Sequence, residues 1–533
     1  MTPRRLAGAL AALLLAPGAA FAQHDHAHAA EEKVGKVSFA NSCAPAAQAD
    51  LARGVAMLHS FWYAAGEAAF RAALAKDPGC AIADWGIASV LMNNALAGVG
   101  ATPQGAEAAQ AAIAHGRATG AKTQRERDYI EAVAAYYQDF AARPERERQA
   151  SRAKAYEALA ARYPDDDEAQ IFSALYIAGT QSQADQTYAA YARSAAILEK
   201  EFAKYPDHPG VAHYLIHVYD APPIAAQGLT AARKYAGLAP DAPHALHMPS
   251  HIFTRVGAWA DSAATNQRSF AVASRAGDFG EAWHASDYAV YADLQLGRDA
   301  AARAAYDAVR QVPPAAPMPA SVPYAMAAIP ARIVLERGDW AAARALVPPA
   351  GNAAYAPAAI TTFARSIGAA RSGDVALAEQ GAAALATEQQ RLTEAGNAYW
   401  AREAAIQQQA VAGWTAFARG QREAGLALMR EAADLEDRNE KHIVTPGRIL
   451  PARELLGDML LEAGQPAAAL REYEASQQRE PNRFRGFAGA AQAAAAAGDA
   501  EKAAGYYRKL LQLSETADSE RPEIVQAKAF LAR

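Results

Sequence analysis

The residues best suited to chemistry in this sequence are histidines, and they recur at a fixed interval. His213 and His217 stand four residues apart, as do His247 and His251, and the second pair follows the first by 34 residues. The text around them repeats at the same offset: Pro206-Asp207 returns as Pro240-Asp241. Thirty-four residues is the length of a stacked helix-pair repeat. Residues four apart share one face of a helix, and neighbouring repeats stack with a small rotation. The spacing therefore predicts that the four imidazoles converge. Neutral imidazole suits zinc, copper, nickel and iron, whereas magnesium and calcium want oxygen ligands.

The expected metal ligands are His213, His217, His247 and His251, completing a four-coordinate site for copper or zinc, with copper slightly favoured by the all-imidazole set. Aligning Gly257 with Gly297 sets His284, Asp287 and Tyr291 over His244, His247 and His251. His244, His284 and Asp287 thus extend the ligand set, either to two metals or to residues that support the first ligands. Asp220, three residues after His217, either supports the site or simply ends its helix. Pro249 lies between His247 and His251: a helix beginning near Pro243 is kinked there, and one beginning at Pro249 leaves His247 in a loop. If histidines fill every position the site is structural or a store. With one position open, bound water or dioxygen is activated and the protein is a hydrolase or an oxidase.

The elements that position these residues are helical. Hydrophobic residues make up 52% of the 533 residues, a fraction swollen by alanine, which favours closely packed helices. Counting back from Pro78, the residues Ala73, Phe70 and Gly54 fall at repeat-consensus positions, and Leu456, Gly457, Leu460, Ala469, Tyr473 and Pro481 match best of all. Adding 34 finds Ala503 and Tyr507. The expected fold is all-α, a solenoid of helix pairs in two blocks, residues 39–312 and 324–533, with five prolines between Pro313 and Pro323 marking a bend. The acidic run Asp165-Asp166-Asp167-Glu168 reads as a helix start. His59, beside Phe61, Trp62 and Tyr63, reads as a hydrogen-bonded core residue.

Residues 1–22 read as a secretory leader, with Arg4 and Arg5, an apolar run from Leu6 to Leu15, and Ala20-Phe21-Ala22. Residues 23–38 form a flexible start carrying His24, His26 and His28. The expected location is periplasmic or secreted, with no membrane span. Cys43 and Cys80, lacking Cys-x-x-Cys spacing, are expected to form a disulfide in such a compartment. A formal charge of −5 with no basic stripe argues against a nucleic-acid partner. Common hydrolase, nucleotide and dehydrogenase signatures are absent. The alternative to a metal site is a metal-free scaffold that binds a protein or peptide in its concave groove.

The stretches Ser42-Cys43, His59-Ser60-Phe61, Asp77-Pro78-Gly79-Cys80, Trp85-Gly86, His213-Tyr214-Leu215-Ile216-His217 and Pro243-His244-Ala245-Leu246-His247-Met248-Pro249-Ser250-His251-Ile252-Phe253 resemble a family of exported bacterial tetratricopeptide-repeat proteins. The resemblance spans nearly the whole chain after the leader. It implies an α-solenoid whose first helices line a concave face, and export; it implies no particular activity.

Overall fold

A computed structural model describes residues 32–94, 96–98, 100–314, 318–319, 321–349 and 357–533; residues 1–22, expected to be a leader, and His24, His26 and His28 lie outside these. Among the described residues every regular element is a helix. From Lys33 onward the chain forms a single compact unit. None of these helices is long and apolar enough to cross a membrane.

The repeat consensus has a visible packing cause. Phe70, in the helix Tyr63–Lys76, is fully buried, and a Cβ added at Gly54 or Gly86 would approach its ring to 2.8 and 2.4 Å. One aromatic ring therefore occupies the space that two glycines leave on the flanking helices. Losing a ring so enclosed costs about 3–5 kcal/mol in other cores. Asp166 caps the helix Asp167–Ala178, as the acidic run predicts, by accepting from the Ala169 N–H at 3.4 Å.

Two large apolar cores lie on either side of the proline-rich stretch, one built from residues between Phe39 and Phe253 and one from residues between Tyr324 and Ala527. A smaller core joins the helices Phe279–Gln295 and Ser321–Leu335 across it. The inner helices also meet partners far along the chain. Residues 438–451, between the helices Arg422–Asp437 and Ala452–Glu462, run back against the N-terminal repeats. There the Glu440 N–H donates to the Gln183 carbonyl at 3.3 Å, and Tyr288 Oη donates to the Thr445 carbonyl at 2.9 Å. Trp259 Nε1 donates to the Asn482 carbonyl at 2.7 Å, tying the same two parts together again.

Cys43 and Cys80 form a disulfide that pins the segment before the first helix to the end of the first pair, with their Cα atoms 4.7 Å apart. It closes a loop with a sequence separation of 37 residues. On the chain-entropy account, reducing it should lower the unfolding free energy by about 3–4 kcal/mol. Denaturant unfolding with and without reductant measures this, and coincident curves would contradict it.

Candidate metal centre

Three successive inner helices present the histidines. In the helix Pro209–Tyr219, Pro209 occupies the first turn and His208 Nδ1 accepts from the Val211 N–H at 3.3 Å, which starts the helix and aims His213 and His217 inward. The next inner element is broken by Pro249 into the helices Pro243–His247 and Pro249–Arg255. Met248 keeps right-handed helical angles at the join, and its N–H still donates to the His244 carbonyl at 2.9 Å. The proline thus bends the element without rotating His251 away from His247. The third helix, Phe279–Gln295, is capped by Asp278 and carries Glu281 and His284.

Six histidines come together, divided into two trios. His213, His217 and His244 form one, and His247, His251 and His284 the other, each offering three ligand atoms within 4.8 Å of one another. Rings of the two trios approach to 5.8 Å between His244 and His247 and to 5.9 Å between His217 and His251. The four-imidazole cluster expected from the spacing is therefore partitioned. Each His-x-x-x-His pair takes its third ring from the next inner helix, because stacking moves that helix alongside the pair.

Hydrogen bonds at the far nitrogens set which way the lone pairs point. His213 Nδ1 lies 2.6 Å from the His59 carbonyl, His244 Nδ1 3.1 Å from Glu281 Oε2, and His251 Nδ1 2.9 Å from Asp220 Oδ2. His247 Nδ1 lies 2.7 Å from Asn266 Oδ1, whose own amide nitrogen donates to the Ser262 carbonyl, so the oxygen faces the ring. All four acceptors demand a proton on Nδ1, which leaves the lone pair on Nε2. The Nε2 atoms of His247 and His251 then face each other at 3.1 Å with no proton between them. In the first trio, His213 Nε2 faces His217 Nε2 at 3.0 Å, while His244 Nε2 and His217 Nδ1 are buried without a partner. Four of the six imidazoles, those of His213, His244, His247 and His251, are oriented through Nδ1 with Nε2 turned inward, and that donor set fits a cation.

Burial lowers the pKa of His213, His217, His247 and His284 well below the ordinary imidazole value, and neighbouring histidines push the same way. His251 is lowered less, because Asp220 favours its charged form. Asp220 ends the helix Pro209–Tyr219 and is the hub behind the second trio. Its carboxylate also accepts from Arg255 Nε at 2.7 Å and from Lys441 Nζ at 3.0 Å. Burial pushes the Asp220 carboxyl up, but Lys441, Arg255 and His251 outweigh it and hold it well below the usual carboxylate range. Burial brings the Lys441 ammonium down to about 8.

Asp287, grouped by alignment with the metal-capable residues, lies in neither trio. Arg332 Nε sits 3.3 Å from its carboxylate, and burial pushes that carboxyl up to about 6. His284, aligned with His244, joins the preceding pair as His244 does, while Asp287, one helical turn on, is held by Arg332.

A third group, His59, Glu168 and His208, has ligand-like spacing but no conflict to resolve. Glu168 accepts from His59 Nε2 at 2.9 Å and from His208 Nε2 at 3.1 Å, while Tyr214 Oη lies 2.9 Å from His59 Nδ1. Each atom has a compatible partner, so this is a closed hydrogen-bond network, and His59 is the core residue the sequence implied. Its ring occupies the space at Gly210, where an added Cβ would meet Nδ1 at 2.3 Å. Gly210 is 34 residues before His244, the position that supplies the third ligand one repeat later.

Sequence reasoning missed Glu281, Asn266, Lys441 and Phe61. Glu281 carries a local signal, since it stands three residues before His284 on the same helix face. Asn266, on the next helix, carries no pattern that marks it, and Lys441 and Phe61 come from distant elements.

No protein-family model matches the chain, and no curated protein matches it. Two solved structures resemble it in outline. The APC/C hetero-tetramer Cut9-Hcn1 is 12% identical with a TM-score of 0.27, covering 90% of this chain and 96% of that one. Yeast Tom70 is 8% identical with a TM-score of 0.26, covering 91% and 96%. At these values neither likeness extends to function, and the fold rests on the helix pairs themselves.

The lowered histidine pKa values carry a sign for stability. The unfolded chain takes up protons near pH 6.5 while the folded, metal-free protein resists them. The stability contribution is therefore complete above about pH 6.5 and lost as pH falls below it. Asp287 and Asp293, both raised to about 6 by burial, and Glu436, raised to about 8, oppose this as pH falls. At pH 5.5 the loss should be roughly 1 kcal/mol for each strongly desolvated histidine, so on going from pH 7.5 to 5.5 the metal-free wild type should lose more stability than metal-free His284→Gln does. An equal or greater loss in the variant, read from denaturant unfolding at the two pH values, would contradict a neutral His284.

Proposed function

We propose that the protein binds two transition-metal ions, one in each histidine trio, on the inner face of an exported helical-repeat scaffold. The observation that carries this reading is the pair of Nε2 lone pairs on His247 and His251, held face to face by Asp220 and Asn266. A cation between them turns a repulsion into two bonds. Three imidazoles with no carboxylate suit copper or zinc, and copper stands highest in the divalent affinity order. An ion held by three protein ligands keeps a position for water or dioxygen, the chemistry of hydrolases and oxidases. The residues behind the ligands hold the Nδ1 protons and keep bulk water out. Export is supported by the leader-like start and by the Cys43–Cys80 disulfide, since such bonds persist in oxidising compartments.

A protein or peptide partner is the second reading. Beside the second trio Lys441 binds Asp220 and Thr445 accepts from Tyr288, so the chain itself packs there. A groove of about 920 Å³ lined by Arg125, Arg162, Tyr205 and His208 is the feature that favours it.

Elemental analysis of untagged protein from its native compartment separates the two. The metal reading expects about two ions per folded chain, falling to about one in His217→Ala and to about one in His251→Ala, because imidazole sites hold their ions through purification. Less than about a tenth of an ion per folded wild-type chain would end it.

A further inference from the structure

Each trio has one aromatic ring packed against all three of its imidazoles, and the two rings are held differently. Tyr288 lies 4.6, 5.0 and 5.4 Å, ring centre to ring centre, from His247, His251 and His284. It is fully buried in the middle of a helix, and its hydroxyl is tied to the Thr445 carbonyl. Phe61 lies 4.5 Å from His213 and 5.7 Å from both His217 and His244, stacking on the last two. It is half-buried, stands in the turn between the helices Gln48–His59 and Tyr63–Lys76, and has no polar group to tether it.

Phe61 also has a φ of +52°. A bulky side chain pays strain in that left-handed region, of order 1–3 kcal/mol, and such positions persist only where the surroundings over-determine them. Here the surroundings are the imidazoles of the first trio and Tyr63, stacked on Phe61 at 5.5 Å. In both trios the third ring is the most open, the His244 side chain at 15% exposure and His284 at 9%.

The geometry points to Phe61 as the gate of the first trio: this ring, and not Tyr288, moves aside to admit or release an ion, so the two ions exchange at different rates. The inference rests on the two-ion reading above. The His213/His217/His244 ion exchanges first, while the His247/His251/His284 ion is sealed by Tyr288 and by residues 441–445. Phe61 is a positioning residue here, since it touches the ligands and has no ligand atom of its own.

The test is release of metal from the fully loaded full-length protein to an excess of a strong chelator, followed optically. Wild type should release its ions in two phases of equal amplitude. Phe61→Ala should keep the two-ion content and accelerate only the faster phase, by about tenfold or more, because the opening that precedes release is local. Phe61→Leu, which keeps apolar bulk, should fall between the two. If Phe61→Ala fails to fold, acceleration of that phase in Phe61→Leu sustains the gate and an unchanged rate overturns it. Unchanged rates in both variants, or equal acceleration of both phases, would overturn the gate while leaving the two-ion reading intact. Wild-type protein that retains no metal would instead remove that reading.

Discussion

The centre depends on where four protons sit. A backbone carbonyl, an amide oxygen and two carboxylates hold the Nδ1 protons of His213, His247, His244 and His251, so four Nε2 lone pairs turn inward. In a buried interior, facing lone pairs are costly. Much of the surrounding architecture serves to keep those acceptors in place. Arg255 and Lys441 keep Asp220 ionised, and Lys441 comes from a segment more than two hundred residues away. A buried acid without those partners would protonate and release its hold on His251.

A helical-repeat scaffold suits this task because it converts a sequence period into a spatial one. One inner helix brings a His-x-x-x-His pair, the next brings a second pair and the third ligand of the first, and the one after brings His284. Gly210 shows how finely the register matters: where one repeat places a glycine and lets the His59 ring in, the next places His244, the third imidazole of the first trio. The His59, Glu168 and His208 group, with the same residue types, closes into satisfied hydrogen bonds. Composition alone therefore does not separate the two trios from a closed hydrogen-bond network; the hydrogen-bond partners of each ring do.

The helical repeats were legible in the sequence because they rest on local periodicity and on small-residue positions such as Gly54 and Gly86 that face Phe70. The paired cysteines were legible from their spacing and context. Convergence of the histidine pairs was legible as well, since it needs only helical phase and repeat length. Their partition into trios was not, because it depends on the rotation between neighbouring inner helices. Lys441, Thr445 and Phe61 were beyond reach for a related reason: no period links residues 438–451 or the Phe61 turn to the histidines. Asp287 misled because alignment gives position on a helix but not the Arg332 guanidinium that claims the carboxylate.

The most direct measurement is anomalous diffraction at the metal absorption edge from crystals of protein purified out of its native compartment. The account requires two peaks, one enclosed by His213, His217 and His244 and the other by His247, His251 and His284. A single peak shared by His213, His217, His247 and His251, a peak at His59, Glu168 and His208, or no peak in well-ordered crystals would contradict it.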